Sequence, residues 1–271
     1  MLTCYLMGGL GNQLFEIINA FVCAIKYNKS IYFVNVENSS GRQTYWNSIF
    51  DHLKLLLLDN YILDSFILNE LDYTYNEIII DNTHNNIILQ GYFQSYKYFD
   101  KYYNLIYNIL NIENKKKQLY NEFNNIYNTI SLHFRLGDYK NNKDFPVLPL
   151  TYYINSLNYI KSINININYT IIYFNEEEDD DIANLNILKL KELFKNFTFI
   201  KCNNKLHDWE QLLLMSNCIH NIIANSTFSW WGAYFNNNSN KIVCYPSLWY
   251  AYGLDPTKDL VPLEWIKIDI N

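Results

Sequence analysis

Arginine is almost absent from this chain: of 21 basic residues only Arg42 and Arg135 carry a guanidinium. Cysteine is sparse and scattered. Cys4, Cys23, Cys202, Cys218 and Cys244 form no Cys-x-x-Cys pair, which excludes a zinc ribbon and a dithiol redox motif. Their odd number and mostly apolar flanks fit a reducing compartment. With five prolines and eight glycines there is no Pro-rich or Gly/Ser linker, and no repeat appears. No apolar run approaches the roughly 20 residues that span a bilayer; residues 55–58 form a buried patch at most. Residues 1–7 lack the basic start of a secretory leader. The expected location is therefore the cytoplasm or another soluble compartment, with peripheral association at a membrane as the alternative. A net charge of −6 with no basic face makes nucleic acid a poor partner.

What is abundant is apolar and aromatic: 49% hydrophobic and 17% aromatic residues over 271 positions give ample core for one large domain or two ordinary ones. Asparagine, isoleucine, tyrosine and lysine are overused, as expected of an AT-rich microbial or viral-type genome. Sequons such as Asn28-Lys29-Ser30 follow from that bias and are weak evidence of glycosylation.

Strand-like runs alternate with helical stretches. Strands are expected at residues 2–7, 31–36, 87–90, 130–134, 169–174, 197–202, 221–224 and 241–245. Helices are expected at 12–27, about 98–126, 151–163, 182–195, 208–217 and 227–235. Such alternation implies parallel sheets with right-handed crossovers. The units are dense in residues 130–245 and sparse before about 125, which places a boundary at residues 124–129. Two α/β domains facing each other across a cleft would put ligands at the carboxyl ends of their strands.

Three segments carry chemistry. Gly8-Gly9-Leu10-Gly11-Asn12-Gln13-Leu14-Phe15 joins the first strand to the first helix, where glycines let backbone N–H groups approach a ligand. It is neither a dinucleotide fingerprint nor a phosphate-binding P-loop, and a tight turn capped by Asn12 is the plainer reading. The second segment is His133-Phe134-Arg135-Leu136-Gly137-Asp138-Tyr139, after an apolar run. A guanidinium offers a planar fork that suits diphosphate oxygens, and lysine does not. A structural ion pair with Asp138 or another carboxylate is the competing reading. Alternation puts His133 and Arg135 on one face and residue 136 on the other. The third segment is Asn225-Ser226-Thr227-Phe228-Ser229-Trp230-Trp231-Gly232-Ala233. Asn225, Ser226 and Thr227 can cap a helix whose N-terminus suits a phosphate, and Trp230 and Trp231 are expected in the core.

In this order and spacing, the three segments resemble the α-1,2-fucosyltransferases of glycosyltransferase family 11. Residues 91–99, Gly-Tyr-Phe-Gln-Ser-Tyr-Lys-Tyr-Phe, and Val261-Pro262-Leu263-Glu264-Trp265 also resemble family segments, so the likeness covers nearly the whole chain. One departure stands out: Leu136 replaces the second arginine of the family's His-x-Arg-Arg-Gly-Asp-Tyr motif. The resemblance implies a GT-B-like α/β enzyme with two Rossmann-like domains, residues 1–126 on the acceptor side and 127–271 binding the GDP-sugar. It implies inverting transfer of L-fucose from GDP-β-L-fucose to the 2-hydroxyl of a terminal β-galactoside. Arg135, Asp138 and His133 are the expected catalytic residues, and Glu16 is a further candidate base by proximity to a motif. Arg135, Gly9, Gly11, Asn12, Gln13, Glu176, Asn225, Ser226, Thr227 and Ser229 are the expected donor-binding residues. The acidic run 176–181 reads as a solvated loop and helix start, with Glu176 or a neighbour accepting from guanine or ribose as the minority alternative. No metal and no cofactor beyond the donor are expected. Two alternatives stay open: a different GDP-deoxysugar or acceptor, and a non-catalytic glycan-binding protein.

Overall fold

The computed structural model describes residues 1–39, 41–81, 83–119, 127–251 and 257–270. The chain divides into two compact units, Met1–Asn114 with Pro256–Pro262 and Lys115–Asp255 with Leu263–Asn271. Residues 124–126 of the expected boundary lie outside the described residues.

Unit 1 begins with β1 (Leu2–Cys4) and α1 (Leu10–Lys26). Leu10, Leu14, Ile17, Ile18 and Val22 recur at helical spacing and are buried, so α1 packs one broad face inward. It stops where Asn28 turns left-handed at φ 48°. Next come β2 (Phe33–Val34) and an antiparallel pair, β3 (Asn38–Ser39) with β4 (Arg42–Gln43). β5 (Leu57–Leu58) then pairs parallel with β2. β6 (Phe66–Asn69) and β7 (Ile87–Gln90) complete a parallel sheet of order β1-β7-β6. Periodicity misses the two-residue strands β3, β4 and β5, and it misses β6. β6 lies at the sheet edge, with Phe66, Ile67 and Asn69 exposed, so no buried alternation marks it. The single helix expected over about 98–126 is instead α2 (Tyr103–Ile109) and α3 (Ile112–Leu119) within the described residues. They are separated where Asn111 adopts φ 52°; residues 120–126 of that expectation lie outside the described part.

Unit 2 follows the sequence pattern closely. Its elements are β8 (Thr129–His133), α4 (Leu150–Ile163), β9 (Thr170–Phe174), α5 (Asp180–Leu193), β10 (Thr198–Lys201) and α6 (Asp208–Asn217). β11 (His220–Ile222), α7 (Thr227–Tyr234), β12 (Val243–Pro246) and β13 (Ile266–Ile268) complete it. The short helix α8 (Thr257–Leu260), between β12 and β13 in the chain, belongs to unit 1. The six strands are all parallel in the order β10-β9-β8-β11-β12-β13. This is the doubly wound order of a Rossmann fold, with the first strand in the middle and the direction of winding reversed between β8 and β11. Every residue of β8 is buried, as a central strand covered on both faces requires. One face packs Ile130, Leu132 and Ile171 against Tyr152, Leu157 and Ile187. The other carries Ile172 and Phe174 with Leu214 and Met215.

Trp230 and Trp231 are fully buried, and Trp230 stacks on Tyr234 with ring centroids 4.7 Å apart. Their helix lies so close to α6 that a Cβ on Gly232 would sit 2.8 Å from the Met215 Cβ and 3.2 Å from the Leu212 carbonyl oxygen. Gly232→Ala should therefore lower unfolding stability by about 1–3 kcal/mol through overpacking, despite alanine's better helix propensity. Urea denaturation checks this, and an unchanged midpoint would show that the two helices can separate without cost.

Candidate active site at the carboxyl ends of the parallel strands

In unit 2 the winding reverses between β8 and β11, and the carboxyl ends of the strands at such a reversal are where doubly wound sheets bind ligands. Arg135 leaves the end of β8 and Asn225 the end of β11. Tyr139 joins them: its hydroxyl donates to the Asn225 carbonyl oxygen at 3.0 Å, and the Arg135 guanidinium lies 5.0 Å from the centre of its ring. Burial pushes the Tyr139 phenol up to about 12, the nearby guanidinium opposing that shift, so it remains a neutral hydrogen-bond donor. Sequence reading quoted Tyr139 only as part of a motif. Its place as the post between the two loops follows from strand order, which no local pattern reveals.

The Arg135 fork is occupied. Nη2 meets Asp138 Oδ1 and Nη1 meets Glu176 Oε1, each at 2.5 Å. Both carboxylates are about half exposed, at 53% and 54%, so each pair contributes only about 0–1 kcal/mol to stability. The ion pair with Asp138 weighed from sequence is present, and Glu176 supplies a second. Leu136 is buried in the core with Phe134 and Leu148. Position 136 therefore faces away from the Arg135 side chain, as strand alternation implies.

The acidic run is a solvated loop and helix start, with Glu176, Glu177, Glu178 and Asp181 exposed and Asp180 opening α5, except at one position. Asp179 is 1% exposed; its Oδ2 accepts from the Gly137 N–H at 2.6 Å and its Oδ1 from Lys140 Nζ at 2.5 Å. Asp180 pairs with Lys201 at 2.5 Å and also accepts from Asn175. Among the described residues no group of three or more histidine, cysteine or carboxylate side chains is placed to hold a metal ion.

His133 is buried, its Nδ1 has no hydrogen-bond partner among the described residues, and its ring lies 5.6 Å from that of Phe228. Burial, reinforced by the Arg135 charge, lowers its pKa to about 3. Asn225 is fully buried, and its Nδ2 donates to the carbonyl oxygens of Pro146 and Trp249. Ser226 stands at the N-cap of α7, but its hydroxyl makes no capping hydrogen bond. Thr227 begins α7, half-buried. The Ser229 hydroxyl is buried, accepts from the Ala224 N–H at 3.2 Å and donates to the Ser226 carbonyl oxygen, bracing the turn into α7.

Unit 1 holds the glycine-rich segment at the carboxyl end of its own β1. Gly8 has φ 69° and packs against Asn12, whose amide would lie 2.4 Å from an added Cβ; Gly9 is the N-cap of α1, and Gly11 is buried in its first turn. The Gln13 amide is fully buried and donates to the carbonyl oxygens of Gly8 and Gln43. Asn12 Oδ1 accepts from Gln94 at 3.1 Å. Glu16 is fully buried; Oε2 accepts from the Met7 N–H, while Oε1 has no partner among the described residues. Burial drives its pKa well up, the Met7 hydrogen bond opposes this, and Glu70 adds to it. Glu70 is a residue that sequence reading missed. It accepts from the Tyr92 N–H at 2.8 Å, and its Cβ lies 2.3 Å from where a Gly91 Cβ would be. The signal was Gly91, at φ 154°, in a segment already noted for its family likeness.

Compared with known proteins, residues 1–269 match the model of Glycosyl transferase family 11. The chain is 28% identical over 317 aligned residues to the O-antigen biosynthesis glycosyltransferase WbnK of Escherichia coli, covering 99% of this chain and 100% of that protein. It is 26% identical over 293 residues to an alpha-1,2-colitosyltransferase of Escherichia coli, covering 97% of each. The chain thus belongs to glycosyl transferase family 11 and is a glycosyltransferase.

The buried histidines set an acid limit. Burial holds His133 near pKa 3 and His220 near 4, whereas an unfolded histidine titrates at about 6.5. Between about pH 6.5 and 4 the unfolded chain takes up protons that the folded chain refuses, so stability falls as pH drops through that window. The urea midpoint should be lower at pH 5 than at pH 7, and His133→Gln should shrink that difference. A difference unchanged in the variant would mean that His133 titrates normally in the folded protein.

Proposed function

We propose that this member of glycosyl transferase family 11 transfers L-fucose from GDP-β-L-fucose to the 2-hydroxyl of a terminal β-galactoside, with inversion. The observation that carries the reading is Arg135. It is one of two arginines in the chain, and it stands at the carboxyl end of β8 where the winding of the sheet reverses. We read the two units as the Rossmann-like halves of a GT-B enzyme, unit 1 on the acceptor side and unit 2 binding the donor; the division falls after Asn114 and not after residue 126, and Pro256–Pro262 belongs with unit 1.

In this scheme the acceptor oxygen attacks the anomeric carbon while the bond to the GDP oxygen breaks. Negative charge grows on the departing diphosphate. Arg135 exchanges Asp138 and Glu176 for diphosphate oxygens, and the N-terminal turn of α7 at Ser226 and Thr227 adds its dipole. Asn225 and Ser229 hold that turn in place, and Glu176, once released, accepts from ribose or guanine. Gly9, Gly11, Asn12 and Gln13 form the corresponding backbone-rich turn of unit 1. Of the candidate bases, Asp138 ranks first: it is half exposed beside Arg135. His133, with a pKa of about 3, is a poor proton acceptor. Glu16 is fully buried, and its carboxyl is pushed toward the neutral form.

The relative named for alpha-1,2-colitosyl transfer favours a second reading, in which the α-1,2 linkage is kept and another GDP-deoxysugar is the donor.

GDP release from GDP-fucose should depend on a β-galactoside acceptor and yield a fucosylated product by mass. Release only with a different GDP-deoxysugar would select the second reading, and glycan binding without donor consumption would defeat both. Arg135→Ala removes charge-assisted hydrogen bonds of about 2 kcal/mol and should weaken GDP binding about thirtyfold; near-normal affinity would defeat the diphosphate assignment. Charge stabilisation by Arg135 and α7 makes a divalent ion unnecessary in this scheme, so turnover should be unchanged by a chelator. Loss of turnover that is restored by added metal would overturn that part.

A further inference from the structure

The scheme above leaves one buried carboxylate of unit 2 unused. Resting on that donor reading, we infer that Asp179 is a positioning residue: it fixes the turn after β8 in the shape that aims Arg135 at the donor diphosphate.

A buried carboxylate must recover the hydration it loses from nearby donors or a counter-charge. Asp179 has both, and both come from the segment that directly follows Arg135. Its Oδ2 accepts from the Gly137 N–H and its Oδ1 from Lys140 Nζ, at 2.6 Å and 2.5 Å. Gly137 itself has φ 28°, a backbone state that residues with side chains rarely adopt. A Cβ there would also lie 2.7 Å from Glu176 Oε2. Glycine has this turn open to it among many others, and a charged acceptor on its N–H selects it. Asp179 in turn donates its own N–H to the Glu176 carbonyl oxygen at 2.9 Å. One short turn after β9 therefore supplies both the carboxylate on Arg135 and the carboxylate beneath the Arg135 loop. Asp179 makes no bond to Arg135, so its effect passes through Gly137 and Lys140. Its exposure of 1% also separates it from the half-exposed Asp138 and Glu176, which a ligand can displace. An asparagine there would turn an N–H₂ group toward the Gly137 N–H or the Lys140 ammonium and lose one of the two anchors.

The test is calorimetric titration of GDP into the full chain. Asp179→Asn should weaken GDP binding about tenfold. In turnover, the KM for the sugar donor should rise while the KM for acceptor stays unchanged. In an Arg135→Ala background the same substitution should add less than twofold, because the two residues act as a unit. Equal losses in both backgrounds, or a fall in kcat with both KM values unchanged, would reduce Asp179 to a structural role and overturn the inference. If Asp179→Asn does not fold, Lys140→Met removes the outer anchor; weaker GDP binding there supports the inference and unaltered binding overturns it. Absence of GDP binding by the unmodified protein would defeat the donor reading itself, which is distinct from binding that Asp179→Asn leaves intact.

Discussion

A charge that cannot be neutralised by proton loss stands at the end of a strand with no exposed residue, and much of unit 2 is arranged around that constraint. β8 is buried along its whole length, and Arg135 emerges two residues beyond its end. A guanidinium in that position needs counter-charge, solvent and a defined direction. Glu176 and Asp138 supply the first, the partial exposure of the Arg135 side chain supplies the second, and the Tyr139 ring and the Gly137 turn supply the third. Loops that follow three different strands converge because parallel strands with right-handed crossovers send all their carboxyl ends to one edge.

Unit 1, with a three-stranded parallel sheet of order β1-β7-β6, sets a strand-to-helix turn in different chemistry. Its glycine-rich turn also follows a strand and enters a helix, but amides and buried carboxyls surround it. Gln13 and Asn12 are amides, and Glu16 and Glu70 are both shifted toward the neutral acid by burial.

Much of this was legible in the sequence, for reasons that differ by element. Apart from the edge strand β13, which was not expected, the strands and helices of unit 2 were readable because a doubly covered sheet demands continuous apolar runs, and its crossover helices demand a spacing near 3.6. Phe134 and Leu136 declare themselves as core, and Arg135 as the exception between them. β6 was not readable, since an edge strand with exposed side chains carries no burial pattern. The Arg135 segment and the turn into α7 were found as motifs, but the hydroxyl-to-carbonyl bond from Tyr139 to Asn225 spans 86 positions and depends on β11 lying beside β8. Asp179 was hidden for another reason. In a run of six acids every position looks solvated, and only the fold shows which one turns inward.

The paired state of Arg135 has a consequence for how an anion reaches it. One guanidinium between two carboxylates gives this end of the sheet a local charge of about −1, within a chain whose net charge is −6. At distances beyond a Debye length, about 8 Å at physiological salt, such a site offers an approaching nucleotide no attraction. Recognition is confined to contact, where an incoming phosphate must replace two acids at once. On the donor reading proposed above, the guanidinium fork that now holds two separate carboxylates would donate to two phosphate oxygens instead, and both acids would be released to solvent together.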